Sequence, residues 1–275
     1  MGNETVYELK GVSYSYLGRF PALSGVSLGI NKGERIALLG ANGSGKSTLL
    51  MVLAGLIFPG SGTTSFFGKE FNEDSFRDIS FQRQFRSNVG IVFQNSDIQL
   101  FNSNVEDEIL FGLFQLDLPD DVRRSRLEKY KALMDITHLT GRHPQYMSVG
   151  EKKRVALASV LAMEPEVLLL DEPTAGLDPR TTRHFIDTIY AASAGKRTII
   201  TSTQDIHIVP EIADRVIVLS ENKKVAKDGD VHTVLGDRTL LEAHNLIHAH
   251  VHTHEGVAHV HPHEHPDHHH EHGGV

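Results

Sequence analysis

The chain has 275 residues, enough for one large α/β domain or two small ones with a sizeable core. Its formal net charge of −8 leaves no basic footprint for nucleic acid, and the absence of cysteine excludes disulfides and thiolate metal sites. No apolar leader opens the sequence at Met1–Val6, and the longest apolar run, Val155–Met163, is too short to cross a bilayer; any membrane role is expected to come through a partner.

In chain order, Thr5–Leu9 and Ser24–Ile30 read as short strands around a turn at Leu17–Pro21. The apolar run Arg35–Leu39 reads as a buried strand, and Leu49–Leu56 as a helix. Between them lies Gly40-Ala-Asn-Gly-Ser-Gly-Lys46-Ser-Thr48, which fits G-x-x-x-x-G-K-[ST] in the strand–loop–helix context that a phosphate-binding loop requires. Its glycines allow successive backbone N–H groups to face one concavity, and the helix N-terminus adds positive potential there. The expected contacts come from Gly40, Asn42, Gly43, Ser44, Gly45, Lys46, Ser47 and Thr48, with Lys46 on the outer phosphates and the Ser47 hydroxyl on Mg²⁺. A Gly-rich turn with an incidental lysine is the plain alternative.

Beyond this, Thr63–Phe67 resumes a β pattern, residues 69–88 are polar and uninformative, and Val89–Phe93 reads as a strand ending at Gln94. Helical periodicity dominates from Asn104 to Ala162, with an amphipathic stretch at Val122–Leu139 and a further helix at Glu151–Met163. Val167–Leu170 and Thr198–Thr201 are apolar runs suited to parallel strands covered on both faces, and Val216–Leu219 reads as a further strand. The first ends in Asp171-Glu172, at the strand end where α/β ligands bind. Asp171 is placed to hold Mg²⁺, directly or through water, and Glu172 to orient or deprotonate an attacking water. A strand ending in a solvated acidic turn would look the same in isolation; the upstream phosphate loop argues against it.

The order of these motifs over residues 4–240 resembles the nucleotide-binding subunits of ABC transporters. Gln94 falls at that family's Q-loop, Met147-Ser-Val-Gly-Glu151 at its LSGGQ signature, Ala175-Gly-Leu-Asp178 at its D-loop, and Tyr16 at the aromatic that stacks on adenine. Phe93–Phe101 is similar to the Q-loop run of energy-coupling-factor ATPases, and Lys152–Glu166 to their cobalt and nickel branch. The resemblance implies a P-loop NTPase fold of the α/β class: a mixed central sheet, an N-terminal antiparallel β portion and a helical subdomain at about 95–162. It implies ATP and Mg²⁺ as ligands, with Ser47, Gln94 and Asp171 around the metal and Glu172, Gln204 and Gln94 in the catalytic set. It also implies a head-to-tail dimer with itself or a paralogous ATPase, in which Ser148 and Gly150 meet the nucleotide held by the other chain. Integral membrane subunits would anchor the pair at the cytoplasmic face of the membrane. ATPases of vitamin-uptake transporters, or of another ABC transporter, would share the same cassette.

Two positions depart from the family pattern. Val149 replaces the first signature glycine, a costly change if the site needs positive φ and harmless otherwise. Gln204 stands where the family has its switch histidine; its amide donates a hydrogen bond but carries neither proton nor charge. Either Gln204 supports slower hydrolysis driven by Glu172, or this chain forms a weak site beside a competent partner; intact Lys46, Asp171 and Glu172 favour the first.

Of 18 histidines, 13 lie between His244 and His272, marking residues 241–275 as a separate, His-rich tail expected to lack fixed structure. The alternation of His248, His250, His252 and His254, and of His261, His263 and His265, suits binding of Ni²⁺ or Co²⁺ by neutral imidazole. A solvated tail with no task is the alternative. Tail and branch resemblance together point to nickel or cobalt uptake.

Overall fold

The computed structural model describes residues 4–193, 197–254 and 257–263. It opens with a long hairpin, β1 (Thr5–Tyr16) and β2 (Phe20–Asn31), whose strands run well beyond the two segments legible in the sequence. Bulges break the register of β1 against β2, which blurs the period-two pattern that marks a strand. Next come β3 (Arg35–Leu39), α1 (Lys46–Leu53), β4 (Ser61–Phe66) and the short β5 (Lys69–Glu70). The uninformative stretch after them contains α2 (Ile79–Asn88), capped by Asp78, whose carboxylate accepts from the Ser80 N–H at 2.9 Å.

Strand β6 (Val89–Val92) leads into the helices α3 (Val105–Phe114), α4 (Asp120–Leu133) and α5 (Val149–Ala162). The chain then alternates through β7 (Val167–Asp171), α6 (Pro179–Ser193), β8 (Thr198–Ser202), α7 (Val209–Ile212), β9 (Arg215–Leu219) and β10 (Val225–Asp230). Two short helices follow, α8 (Val231–Gly236) and α9 (Arg238–Ala243).

Two sheets organise these elements. One is antiparallel, in the order β2-β1-β4-β5; the other runs β10-β9-β3-β8-β7-β6, parallel except for the antiparallel edge strand β10. The architecture is the mixed central sheet with an N-terminal β portion and a helical subdomain that the sequence implies. Strands β7 and β8 are buried along their whole length, which explains their unbroken apolar runs. Each such fully buried Leu or Ile contributes about 1.5–3 kcal/mol.

The core divides by face. Tyr7, Leu28, Leu50, Phe71 and Phe85 join the antiparallel sheet to α1, α2 and one face of the central sheet. Ile109, Leu127, Tyr130, Leu157 and Phe185 pack the helical subdomain onto the other face. All the parallel strands therefore deliver their carboxyl ends to one edge, where α/β ligands bind.

The tail contains a second hairpin, β11 (His248–His254) paired antiparallel with β12 (Val257–His263), in a segment expected to lack structure. Its His-x-His alternation carries a period of two as well as a composition, and the period is what a strand uses.

Candidate nucleotide site

The loop between β3 and α1 is packed too closely to accept side chains at two glycines. A Cβ at Gly40 would lie 2.4 Å from Ser44 Oγ and 2.6 Å from the Leu219 carbonyl; at Gly45, where φ is +108°, it would lie 2.3 Å from the Ala22 carbonyl. The loop is thus wedged between β2 and the end of β9, with its concave side open. Its helix begins at Lys46, so the first-turn amides have no intrahelical acceptors and point toward whatever anion occupies the concavity. Lys46 is buried, donates to the Gly40 carbonyl at 2.7 Å, and stands 3.7 Å from Glu172 Oε1, an ion pair too long for a hydrogen bond. Burial lowers its pKa, and the charges of Glu172 and Asp171 oppose that shift.

A cavity of about 300 Å³ lies over this loop. Its walls gather Tyr16, Asn42, Gly43, Ser44, Gly45, Lys46, Ser47, Thr48, Gln94, Glu172 and Gln204 from five separate segments of the chain. Tyr16 meets Thr48 through their hydroxyls at 3.2 Å and stacks edge-on against Tyr14. Gln204 donates from Nε2 to Asn42 Oδ1 at 2.7 Å, which ties the segment after β8 directly to the phosphate loop.

Asp171 sits beneath the cavity rather than on its wall, and its Oδ1 accepts from Ser202 Oγ at 2.6 Å. Glu172 has φ of +44°, a left-handed conformation unusual for a residue with a side chain. Its N–H is shared between Ser202 Oγ at 3.0 Å and the Ser202 carbonyl at 3.1 Å. Its own carbonyl accepts from the buried Lys153 Nζ at 3.1 Å, and Pro173's carbonyl accepts from the same amine at 2.9 Å. Glu172 Oε1 is buried with no hydrogen-bond partner among the described residues. A carboxylate oxygen held in that state suits a site whose partner is a water or a liganded ion. The Ser47 hydroxyl and the Gln94 amide oxygen on the same wall, with the Asp171 carboxylate, are oxygen ligands of the type Mg²⁺ prefers.

Gly40 is not on the cavity wall, and three further expected contacts lie elsewhere. Ser148 caps α5 in a reciprocal box: Ser148 N–H donates to Glu151 Oε2 at 2.7 Å, and Glu151 N–H donates to Ser148 Oγ at 3.3 Å. Val149 is the first residue of α5, so its backbone is helical and the β-branch is tolerated; its side chain is 58% exposed. Gly150 follows on the same turn. Asp178 Oδ1 accepts from the N–H groups of Arg180 and Thr181, both at 3.0 Å, at the start of α6. Ser148, Gly150 and Asp178 are absent from the walls of the cavity described above.

Four residues of the site were not legible as such. Phe20 and Lys223 line the cavity, and Lys223 Nζ donates to the Gly43 carbonyl from the β9–β10 turn. Ser202 and Lys153 brace Asp171 and Glu172 from behind. In the tail, His248, His250, His252 and His254 fall on β11 and His261 and His263 on β12, while His265 lies outside the described residues.

The phosphate loop and the Asp171-Glu172 pair thus meet at one edge of the sheet, and residues 23–175 match the ABC transporter family. The chain belongs to the ABC transporter ATPase family. The nickel import ATP-binding protein NikO of Rhodobacter capsulatus is 48% identical over 244 residues, covering 88% of this chain and 95% of NikO. CbiO1 from Clostridium perfringens, described as part of the ABC transporter complex CbiONQ, superposes with a TM-score of 0.74 at 36% identity, covering 88% of this chain and 95% of CbiO1. The ATP-binding cassette MJ0796, in a dimeric post-hydrolysis state bound to ADP and Pi, gives 0.72 at 27% identity over 82% of this chain and 98% of MJ0796. The chain is therefore an ATP-hydrolysing transporter subunit, and within the family it resembles the energy-coupling-factor ATPases of the cobalt and nickel type. ABC cassettes of this kind bind ATP with Mg²⁺, form dimers and work with membrane subunits. No described helix is long and apolar enough to cross a membrane.

Proposed function

We propose that this subunit powers import of nickel or cobalt, with two cassettes closing head to tail on ATP. The observation that carries the dimer is Gly150. It lies within α5, where glycine costs about 1 kcal/mol relative to alanine. A Cβ there would meet Leu177 Cδ2 at 3.6 Å, an ordinary contact, so nothing inside the chain requires its absence. Beside it are an exposed Val149 and a capped helix N-terminus, a surface suited to the phosphates of a nucleotide held by a second chain.

In this reading Lys46 and the loop amides bind the phosphates, and Tyr16 stacks on the base. Ser47, Gln94 and Asp171 would hold Mg²⁺, which would neutralise phosphate charge when bound. Glu172 accepts a proton from the attacking water, its Oε1 without a hydrogen-bond partner and 3.7 Å from the Lys46 amine. Gln204 donates toward the γ-phosphate, and Ser148, Gly150 and Asp178 complete the site across the interface. Hydrolysis removes the charge that binds the two chains, and they part.

The motion would reach the membrane through a groove of about 460 Å³ between α2 and α3, lined by Ile79, Arg83, Arg86, Phe101 and Phe111 among others. Membrane subunits seated there would hold the cassette at the cytoplasmic face. The nickel and cobalt assignment is supported by the likeness to NikO and CbiO1.

Glu172→Gln is expected to bind ATP without turnover and to trap a dimer with ATP that ADP does not support, read by size-exclusion chromatography with light scattering. A variant that stays monomeric with ATP would sink the dimer mechanism. Uptake of radioactive Ni²⁺ and Co²⁺ by vesicles carrying the chain with its co-purified membrane subunits tests the cargo; ATP-dependent uptake of a vitamin and neither metal would overturn it.

A further inference from the structure

The turn between β9 and β10 places a lysine where a hairpin ordinarily uses glycine. The Ser220 N–H donates to the Lys224 carbonyl and the Lys223 N–H to the Ser220 carbonyl, both at 2.9 Å, which closes the loop Glu221-Asn222-Lys223. The last position of a three-residue hairpin loop takes the left-handed conformation, and Lys223 has φ of +65° there. Glycine would adopt that backbone without steric cost. A side chain persists in it where surrounding contacts over-determine the geometry, and two do so here. The Lys223 carbonyl accepts from the Ser24 N–H of β2 at 2.8 Å, and its Nζ donates to the Gly43 carbonyl of the phosphate loop. The side chain is thereby laid along the nucleotide cavity, whose wall it shares with Asn42, Gly43 and Gln204.

Charge gives that side chain a task. The formally charged residues on the cavity wall are Lys46, Glu172 and Lys223. Lys46 is matched by Glu172 at 3.7 Å, and Asp171 lies buried beneath, so these three groups carry one positive and two negative formal charges before any polyanion arrives. Lys223 is the wall's other positive charge, and its acceptor is a neutral carbonyl, weaker for an ammonium than a phosphate oxygen. Gln204 meets the loop at Asn42 and Lys223 meets it at Gly43, so the ammonium approaches beside the neutral amide at the switch position. We propose that Lys223 is a second phosphate-binding cation of this site, contacting the outer phosphates of a nucleoside triphosphate held by the same chain. With the nucleotide placed as above, on which this assignment rests, Lys223 supplies the positive charge that Gln204 lacks.

The test is titration of MgATP into the full chain by isothermal calorimetry, with thermal unfolding of the nucleotide-free chain alongside. Lys223→Gly removes the charge and suits the left-handed backbone, and Lys223→Asn removes it with a residue that tolerates the same conformation. Both are expected to weaken MgATP binding about tenfold, while the unfolding midpoint stays within about 3 °C of native or rises. Lys223→Arg keeps the charge and should bind within about threefold of native. MgATP affinity within twofold of native in Lys223→Gly or Lys223→Asn would reduce Lys223 to a turn residue and overturn the assignment. Equal weakening in Lys223→Arg would also overturn it, since charge would not be what matters, and a lowered midpoint in both uncharged variants would make Lys223 a support of the fold. Lys46→Met controls for the site itself: it should abolish binding, and native affinity in that variant would displace the nucleotide from this cavity whatever Lys223 does.

Discussion

Glu172 must hold its carboxylate free and its backbone left-handed at once, a conformation that typically costs about 1–3 kcal/mol outside glycine. The cost is offset locally by Ser202, which takes the Glu172 N–H, and by Lys153, whose amine binds the carbonyls of Glu172 and Pro173. Lys153 lies on α5, one and a half turns from Ser148, so the helix that would face the partner's nucleotide also positions the proposed base of this chain. A charged hydrogen bond contributes about 1.5–3 kcal/mol. Lys153→Met is therefore expected to lower kcat roughly 10–100-fold while ATP affinity changes less than twofold, compared by turnover and by fluorescent-nucleotide titration. Parallel loss of affinity would show that Lys153 merely stabilises the fold. Gln204 already reaches the phosphate loop through Asn42, so its place in the site is set and only its chemistry is neutral. Gln204→His should raise turnover of the assembled complex by roughly tenfold and add a dependence on pH near about 6.5. Unchanged turnover would mean that this position does not limit hydrolysis.

At the scale of elements, the signature's integrity rests on one cap. The Ser148 N–H holds the Glu151 carboxyl below its ordinary pKa, aided by the Ser148 hydroxyl and Arg142 and opposed by partial burial. Because the folded value is depressed, the stabilisation is fully present above about pH 4.5 and is lost as pH falls through the lowered value. The cap should thus be unaffected between pH 6 and 8. Ser148→Ala is expected to cost about 1 kcal/mol in chemical denaturation, and to weaken ATP-dependent dimerisation while single-chain ATP binding persists; equal dimerisation would contradict the placement of Ser148 at the interface. What the sequence shows of these elements follows their periodicity. Strands β3 and β7 and the loops they feed are unbroken apolar runs, legible at once. The full lengths of β1 and β2 are hidden by bulges, α8 and α9 have too few turns to display a period, and the β11–β12 pattern is masked by its composition. Lys153 and Lys223 could not be read in advance, since their acceptors lie 19 or 20 and 180 residues away.

Across the whole molecule, the nucleotide cavity and the groove between α2 and α3 are joined by the few residues after β6. Gln94 lines the cavity, Gln99 lines the groove, and Gln99 Oε1 accepts from the Phe93 N–H at 3.0 Å, fastening the two ends of that link. The groove's apolar wall is held in place from below. Buried Glu108 on α3 accepts from the N–H groups of Phe101 at 3.0 Å and Asn102 at 2.8 Å, which sets the Phe101 ring edge-on to Phe111 at 4.8 Å. Both rings remain substantially exposed, at 65% and 47%, an arrangement that costs solvation unless a partner covers it. Arg83 and Arg86 on the same wall would complement an acidic or carbonyl-rich helix end of the membrane subunit. Phe101→Asp with Phe111→Asp should therefore weaken assembly with the membrane subunits at least tenfold, because two charges would be desolvated in the contact. ATP binding by the isolated chain should stay within twofold, since neither ring touches the nucleotide cavity. Co-purification with the membrane subunits measures the first effect and nucleotide titration the second. Assembly at native strength would place the docking surface elsewhere on the cassette, and the path from Gln94 to the membrane would have to leave by another face.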